Sequence, residues 1–142
     1  MIILDVNVLL YAYNADDPLH VKVAFWFETL FRESEIVGLP WTTLWSFIRI
    51  STSTRLWRNP KSVQEAFNII RKLLAHPNVR VVQPGSRHAE ILEQLVFEHR
   101  ATGPLVSDAV LAALALENGA ALASCDQDFS RFAALRWINP LA

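Results

Sequence analysis

Short apolar runs alternate along the chain with longer stretches in which apolar residues recur at helical spacing. A continuous apolar run is typical of a strand buried on both faces, and a recurrence every three or four residues is typical of an amphipathic helix. The runs predict strands over residues 1–4, 36–39, 79–82, 121–124 and 136–138. The helical patterns between them predict helices over 7–13, 19–31, 40–53, 61–74, 84–99 and 104–118.

This order predicts an α/β fold in which helices cover both faces of a mostly parallel five-stranded sheet, as a three-layer α/β/α sandwich. The 142 residues contain no repeat and no linker, so we expect a single domain over 1–142. Sites in such sheets lie at the carboxyl ends of the strands. That edge is where candidate chemistry is to be sought.

Composition narrows the class of protein. Apolar residues make up 52% of the chain and charged residues 19%, which excludes disorder as the main state. The single Cys125 excludes an internal disulfide and fits a reducing compartment. Because there is no membrane-length apolar run and no basic leader, we expect a cytoplasmic protein. The net charge of −1 leaves a nucleic-acid partner open, since it says nothing about how charge is distributed.

Acidic residues carry the candidate chemistry. Asp5 ends the first predicted strand, Asp126 follows the fourth, and Asp108 is predicted in the first turn of the helix that precedes the fourth strand. All three are expected to converge at one sheet edge, provided that the first and fourth strands are neighbours. Converging carboxylates repel one another unless a cation lies between them, and their oxygens suit Mg²⁺ or Mn²⁺. Such a metal activates water, so the pattern indicates phosphodiester hydrolysis.

Each acid also has a purely structural interpretation. Asp108 could simply favour the helix dipole, and Asp126 could cap a short turn over 126–131. Asn7 could be a helix cap and nothing more. Asp5 is less open to this interpretation, because the first helix is predicted to begin two residues after it. For Asp128, a local capping role is favoured over a ligand role.

Three segments together resemble a PIN domain, and more narrowly the VapC toxins of bacterial VapBC toxin–antitoxin pairs. They read Met-Ile-Ile-Leu-Asp-Val-Asn from residue 1, Val-Ser-Asp-Ala-Val from 106, and Ala-Ser-Cys-Asp-Gln-Asp from 123. The resemblance implies the sheet order 3-2-1-4-5 and a Mg²⁺- or Mn²⁺-dependent endoribonuclease. It also implies a homodimer and a cognate VapB antitoxin. Asp5, Asp108 and Asp126 occupy the family's acidic metal-site positions, and Asn7 its usual polar position.

The third helix departs from the family pattern. Where the family usually has a Glu, followed by two apolar residues and an Arg, this chain has Ser46-Phe47-Ile48-Arg49. Ser46 could hold a metal-bound water or simply face the cleft. We interpret the change as subtype variation, because three carboxylates and water suffice to hold one Mg²⁺.

Residues 36–64 contain no acid but carry Arg49, Arg55, Arg58 and Lys61 among three tryptophans. Because Arg pairs with phosphates and Trp stacks on bases, this stretch is a candidate RNA-facing edge. Trp41 and Trp45, four residues apart on one helix, are better explained as core or subunit interface. Trp57, in a loop beside Arg55 and Arg58, is the preferred candidate for contact with RNA or antitoxin.

The leading hypothesis is a ribonuclease toxin, with a metal-activated water attacking RNA. The alternative is a non-catalytic PIN-like RNA-binding module that has lost turnover through Ser46. A phosphotransfer receiver domain or a haloacid-dehalogenase-type phosphatase ranks lower, because Asn7 stands where an acid is expected and the third strand ends without one. A restrained toxin should also expose apolar surface for its partner, and the expected residues are Phe25, Trp26, Trp41 and Phe47.

Overall fold

The computed structural model describes all 142 residues as five strands, six α-helices and one 3₁₀ helix. The strands are Ile2–Leu4 (β1), Val37–Pro40 (β2), Val79–Val82 (β3), Ala121–Ala123 (β4) and Trp137–Ile138 (β5). The α-helices are Val6–Tyr13 (α1), His20–Arg32 (α2), Trp41–Ser51 (α3), Val63–Ala75 (α4), His88–His99 (α5) and Pro104–Glu117 (α6). The 3₁₀ helix spans Gln127–Arg131.

The five strands form one sheet in the order β3-β2-β1-β4-β5, and every pair is parallel. The central strand β1 pairs Ile3 with Gly38 of β2 and Leu4 with Ala123 of β4. Both the predicted fold and the order implied by the resemblance are confirmed. Because β1 and β4 are parallel neighbours, the residues that follow them emerge at the same edge.

Helices cover both faces of the sheet. On one face, Leu4 packs with buried side chains of α1 to α4, among them Phe27 and Phe47. On the other face, Ile3 packs with Leu122 and with buried side chains of α5, α6 and the 3₁₀ helix. Successive residues of β1 therefore point into two separate cores, as the pleat of a strand requires. This explains why the predicted strands are apolar at every position.

Most helix boundaries lie within two residues of the prediction, but α5 begins at His88 instead of residue 84. The carboxylate of Glu117, at the end of α6, accepts hydrogen bonds from the backbone N–H groups of Gly85 and Arg87, at 3.0 and 3.2 Å. A Cβ at position 85 would collide with that carboxylate, which would have to move aside and give up these bonds. The loop that leads into α5 is thus held by a distant side chain that local sequence does not reveal.

None of the six helices combines the length and apolar character that crossing a bilayer requires.

Candidate active site

The predicted acids lie together at the carboxyl edge of the sheet. Asp5 follows β1 and Asp126 follows β4, so both occupy loops at that edge. Asp108 lies on α6, beyond its first turn, which contains no acid. The prediction that Asp108 sits in the first turn is therefore wrong. Because the dipole effect fades after that turn, the dipole is a weaker reason for an acid here.

Asp5 is held by three hydrogen bonds. Its Oδ1 accepts from the backbone N–H of Val6 at 2.7 Å, which makes Asp5 the N-cap of α1. Its Oδ2 accepts from the Ser124 hydroxyl at 2.7 Å and from the Asn7 amide at 3.1 Å. The expectation that no helix starts at Asp5 is wrong, because α1 begins one residue earlier than predicted. The cap uses one oxygen, and the other points toward β4.

Ser124 is a site residue that sequence reasoning missed. Its side chain is fully buried, and its hydroxyl oxygen also accepts from the Asn7 amide at 3.0 Å and from the backbone N–H of Asp126 at 3.1 Å. Asn7 in turn accepts from the backbone N–H of Cys125 at 3.0 Å. Asn7 is therefore more than a local cap, since it links α1 to the loop after β4. A small polar residue at the end of an apolar strand was the only available signal for Ser124.

Three carboxylates come close enough to share a cation. Asp108, Asp126 and Asp128 each offer an oxygen, and these oxygens lie within 4.8 Å of one another. Asp126 also caps the 3₁₀ helix, because its Oδ1 accepts from the backbone N–H of Asp128 at 2.8 Å. Asp128 was expected to be a capping acid, but here it is the residue being capped. Asp5 lies outside this closest group, at the neighbouring strand end.

The acids are poorly compensated by positive charge. Only Asp128 has a cationic partner, Arg131, at 3.8 Å, and the side chain of Asp128 is 55% exposed. Partial burial, followed by the charges of Asp126, Asp5 and Asp128, raises the pKa of Asp108 to about 6. Burial also raises the pKa of Asp5, although the hydrogen bonds from Ser124 and Val6 oppose that rise. This arrangement suits a bound divalent cation, whose charge would relieve the repulsion.

A cleft of about 430 Å³ is lined by two of these acids, Asp5 and Asp108. Its other polar lining residues are Thr42, Thr43, Ser46 and Ser107. Thr43 also fixes α3 to the sheet, because its buried hydroxyl donates to the Leu4 carbonyl at 2.9 Å. Ser46 lines the cleft as expected, and α3 contributes no carboxylate. Thr42, Thr43 and Ser107 were not singled out by sequence.

In residues 36–64, which contain no acid, the three arginines are exposed and Trp57 is buried. Arg49, Arg55 and Arg58 are exposed and form no ion pair. Trp57 is only 8% exposed, and Lys61 Nζ lies 5.7 Å from the centroid of its ring. The choice of Trp57 as the contact residue was wrong, because segment 52–62 folds back and the backbone N–H of Lys61 bonds to the Ser51 carbonyl at 2.8 Å. The folded-back segment covers the indole of Trp57.

The expected apolar surface is present in part. Phe25 is 66% exposed, Trp41 is 39% exposed and Trp26 is partly buried. Phe47 is completely buried between α3 and its neighbours, so including it was wrong. Trp41 and Trp45 are not core residues either, because Trp45 is 61% exposed.

Comparison with known proteins agrees with this geometry. Residues 2–135 match the family model of the PIN domain. The fold and the acid-lined cleft thus define a PIN domain.

Ribonuclease VapC43 of Mycobacterium tuberculosis is 42% identical over 141 residues, covering 99% of this chain and 96% of the relative. Ribonuclease VapC31 of the same organism is 39% identical over 140 residues, covering 99% of both chains. The chain belongs to the PIN domain family and, within it, to the VapC ribonucleases.

Solved structures share the fold at lower identity. VapBC2 from Rickettsia felis, bound to a DNA fragment from its promoter, superposes with a TM-score of 0.70 at 18% identity, covering 98% of both chains. VapC20 of Mycobacterium tuberculosis, a sarcin-ricin loop cleaving toxin, superposes with a TM-score of 0.67 at 18% identity, covering 96% of this chain and 98% of that one. At this identity the likeness concerns the fold alone.

Proposed function

We propose that this protein is the toxin of a VapBC-type toxin–antitoxin pair and that it hydrolyses RNA phosphodiester bonds with the help of Mg²⁺ or Mn²⁺. The relatives at 36–42% identity are named VapC ribonucleases, which supports the endoribonuclease activity. The observation that carries the proposal is the convergence of acids at one sheet edge. Asp108, Asp126 and Asp128 lie close enough to share a cation, and Asp108 also lines a cleft with Asp5.

Asp108, Asp126 and Asp128 would hold the cation, and Asp5 would complete the acidic wall beside them. When bound, a divalent cation supplies a water of lowered pKa and neutralises charge on the phosphoryl group. Asp5 has little freedom to rotate, because both of its oxygens accept hydrogen bonds. It is therefore preorganised toward the cleft at no cost when RNA binds.

The hydroxyl groups of the cleft would bind the RNA backbone. Thr42, Ser46 and Ser107 line the cleft together with Asp5 and Asp108 and can donate to phosphate oxygens. Arg49, Arg55 and Arg58 would contact phosphates farther along the strand, because they are exposed and free of ion pairs. Their contribution should be sequence-independent and salt-dependent.

Ser46 in place of an acid reduces the ligand set on α3, and we infer one tightly held cation whose shell is completed by water. The alternative of a non-catalytic RNA-binding module finds no support. That module would not need the partial burial and the neighbouring carboxylates that together raise the pKa of Asp108 to about 6. Perturbed titration of this kind is typical of catalytic clefts.

The partners we propose are a VapB-type antitoxin and a second copy of the chain. VapBC complexes are among the solved structures with this fold, which supports an antitoxin partner. The α2 helix exposes Val21 and Phe25, one turn apart, at 79% and 66%. An exposed apolar pair of this kind suits the apolar face of a partner segment.

A cleavage assay tests the proposal. Total RNA is incubated with the protein in Mg²⁺, in Mn²⁺ and in EDTA, with Asp108→Asn as the matched variant. Cleavage that needs the cation and Asp108 supports the proposal. RNA binding without cleavage would instead favour the non-catalytic module.

A further inference from the structure

A second, apolar groove lies directly beside the acidic cleft. It has a volume of about 290 Å³, and its walls include Trp41, Trp45, Val82 and Pro84. Thr42 and Val110 line both cavities, so the groove adjoins the cleft at these two residues. A ligand that lies over Thr42 and Val110 contacts both cavities.

Two tryptophans form the outer wall of this groove. The rings of Trp41 and Trp45 stack with centroids 6.0 Å apart and an interplanar angle of 28°. They are 39% and 61% exposed, so the indole of Trp45 presents much of its surface to solvent. Each lies one helical turn from the next along α3, and Arg49 follows one turn after Trp45. The two indoles and the unpaired Arg49 therefore follow one another along one side of α3.

We propose that this groove binds an unpaired nucleobase of the RNA next to the scissile phosphodiester, with the base stacked on Trp45. This inference rests on the proposed ribonuclease function and assigns a base subsite to it. Stacking on an aromatic ring is how single-stranded nucleic acid is commonly bound. The adjoining phosphate would then lie over the shared wall at Thr42, and Arg49 would meet the next phosphate.

The lining of the groove favours a base over a purely apolar ligand. Gln83 is exposed at its mouth, and its amide can both donate to and accept from the edge of a base. The volume lies near the lower end of the range of about 300–1,000 Å³ that ligand sites show, which suits one ring system. The groove adjoins the acid-lined cleft at Thr42 and Val110, which is where a base next to the scissile phosphate has to lie.

The test measures RNA affinity in an Asp108→Asn background, so that the probe is not cleaved. The probes are single-stranded oligoadenylate and an abasic oligomer with the same sugar–phosphate backbone, both in Mg²⁺. Trp45→Leu keeps apolar volume but removes the ring, and Trp45→Phe restores a ring. Phe97→Ala is the matched control, because Phe97 is 74% exposed on α5 and lines neither cavity.

Trp45→Leu should weaken binding of oligoadenylate by roughly 5- to 100-fold, the effect of losing one stacked base. Binding of the abasic oligomer should not change, and Trp45→Phe should recover most of the loss. Phe97→Ala should bind both probes like the parent. Circular dichroism melting should show that Trp45→Leu remains folded, because the side chain is largely exposed.

Equal binding of oligoadenylate by Trp45→Leu and its parent would overturn the subsite. So would a change of oligomeric state in sedimentation with no loss of RNA affinity, since the groove would then be a subunit interface. The proposed ribonuclease function and the base subsite fail on different results. If the wild-type chain cleaves no RNA, the proposed function fails. If it cleaves RNA and Trp45→Leu cleaves and binds equally well, only the subsite fails.

Discussion

The buried hydroxyl of Ser124 donates a 2.7 Å hydrogen bond to Oδ2 of Asp5, joining residues 119 positions apart. The same oxygen accepts from Asn7 and from the backbone of Asp126. One small side chain therefore sets the relative positions of the two strand ends that carry the acids. The geometry of the candidate metal site depends on a residue that we do not expect to touch the metal.

Replacing Ser124 with Ala should damage both stability and activity. It removes a donor to Asp5 and leaves two buried donors without their acceptor, which costs on the order of 1–3 kcal/mol. The pKa of Asp5 should rise further, because the hydrogen bond from Ser124 opposes the effect of burial. Urea unfolding measures the loss of stability, and the pH profile of RNA cleavage measures the pKa. An unchanged profile would show that the bond does not govern the ionisation of Asp5.

Acidic pH should weaken metal binding and cleavage together. The pKa of Asp108 is raised to about 6, so this carboxyl gains a proton as the pH falls through that value. The protonated acid is a poor ligand, and the affinity for Mg²⁺ or Mn²⁺ should fall over the same range. Titration calorimetry at several pH values provides the measurement. Affinity that stays constant between pH 7.5 and 5 would exclude Asp108 as a ligand.

The metal-free protein should show the opposite dependence in its stability. A folded-state pKa above the ordinary value of 3.8 means that the folded protein binds the Asp108 proton more tightly than the unfolded chain. This contribution therefore stabilises the fold as the pH falls from above 6 toward 4. Asp108→Asn should melt at a higher temperature than wild type at neutral pH without metal. Added Mg²⁺ should raise the melting temperature of wild type and have little effect on the variant.

Introducing the missing acid on α3 should strengthen metal binding. Ser46 lines the cleft with Asp5 and Asp108, so Ser46→Glu adds a carboxylate to the same cleft. We expect the affinity for Mg²⁺ to rise on the order of tenfold, given the strength of charge interactions near a protein surface. Ser46→Ala is the control and should bind Mg²⁺ about as well as wild type. If the Glu and Ala variants bind Mg²⁺ equally, position 46 is too far from the cation.

The hold of Glu117 on the loop before α5 should be measurable apart from the site. Glu117 accepts from the backbone N–H groups of Gly85 and Arg87, and Glu117→Gln removes the charge from these bonds. The free energy of unfolding should fall by about 1 kcal/mol, the ordinary worth of such a bond. Cleavage of RNA by the folded variant should be unchanged, because Glu117 does not line the cleft. A loss of activity at full stability would contradict a structural role.

The sequence was sufficient for the strands, the helices and the location of the acids. Short uninterrupted apolar runs are typical of strands buried on both faces, and residues that follow parallel strands share one edge. The order of the strands was not in the pattern and came from the resemblance. Periodicity also could not show that Asp5 caps α1, because the boundary of a helix depends on which side chain accepts its first N–H groups.

Loops were the least predictable part of the chain. Trp57 lies among arginines, yet the segment returns toward Ser51 and covers it. Trp41 and Trp45 have the spacing of core residues, yet they lie on the outer side of α3. For the tryptophans of α3 the local pattern shows which residues share one side of the helix, and for Trp57 it shows that the loop is polar. Whether each indole is exposed depends on how distant segments pack against it. The role of Ser124 could not be predicted for the same reason, since its partners Asn7 and Asp5 are 117 and 119 positions away along the chain.

The most direct measurement is the rate of RNA cleavage by wild type and by Asp108→Asn, each in Mg²⁺ and in EDTA, with melting curves to confirm folding. Wild type should cleave only with the metal. Asp108→Asn should lose at least about 100-fold in rate while melting at or above the wild-type temperature, as expected when electrostatic stabilisation in the reaction is removed. Metal-dependent cleavage by the folded variant at the wild-type rate, or cleavage by wild type in EDTA, would contradict the assignment of the acidic cleft as the active site.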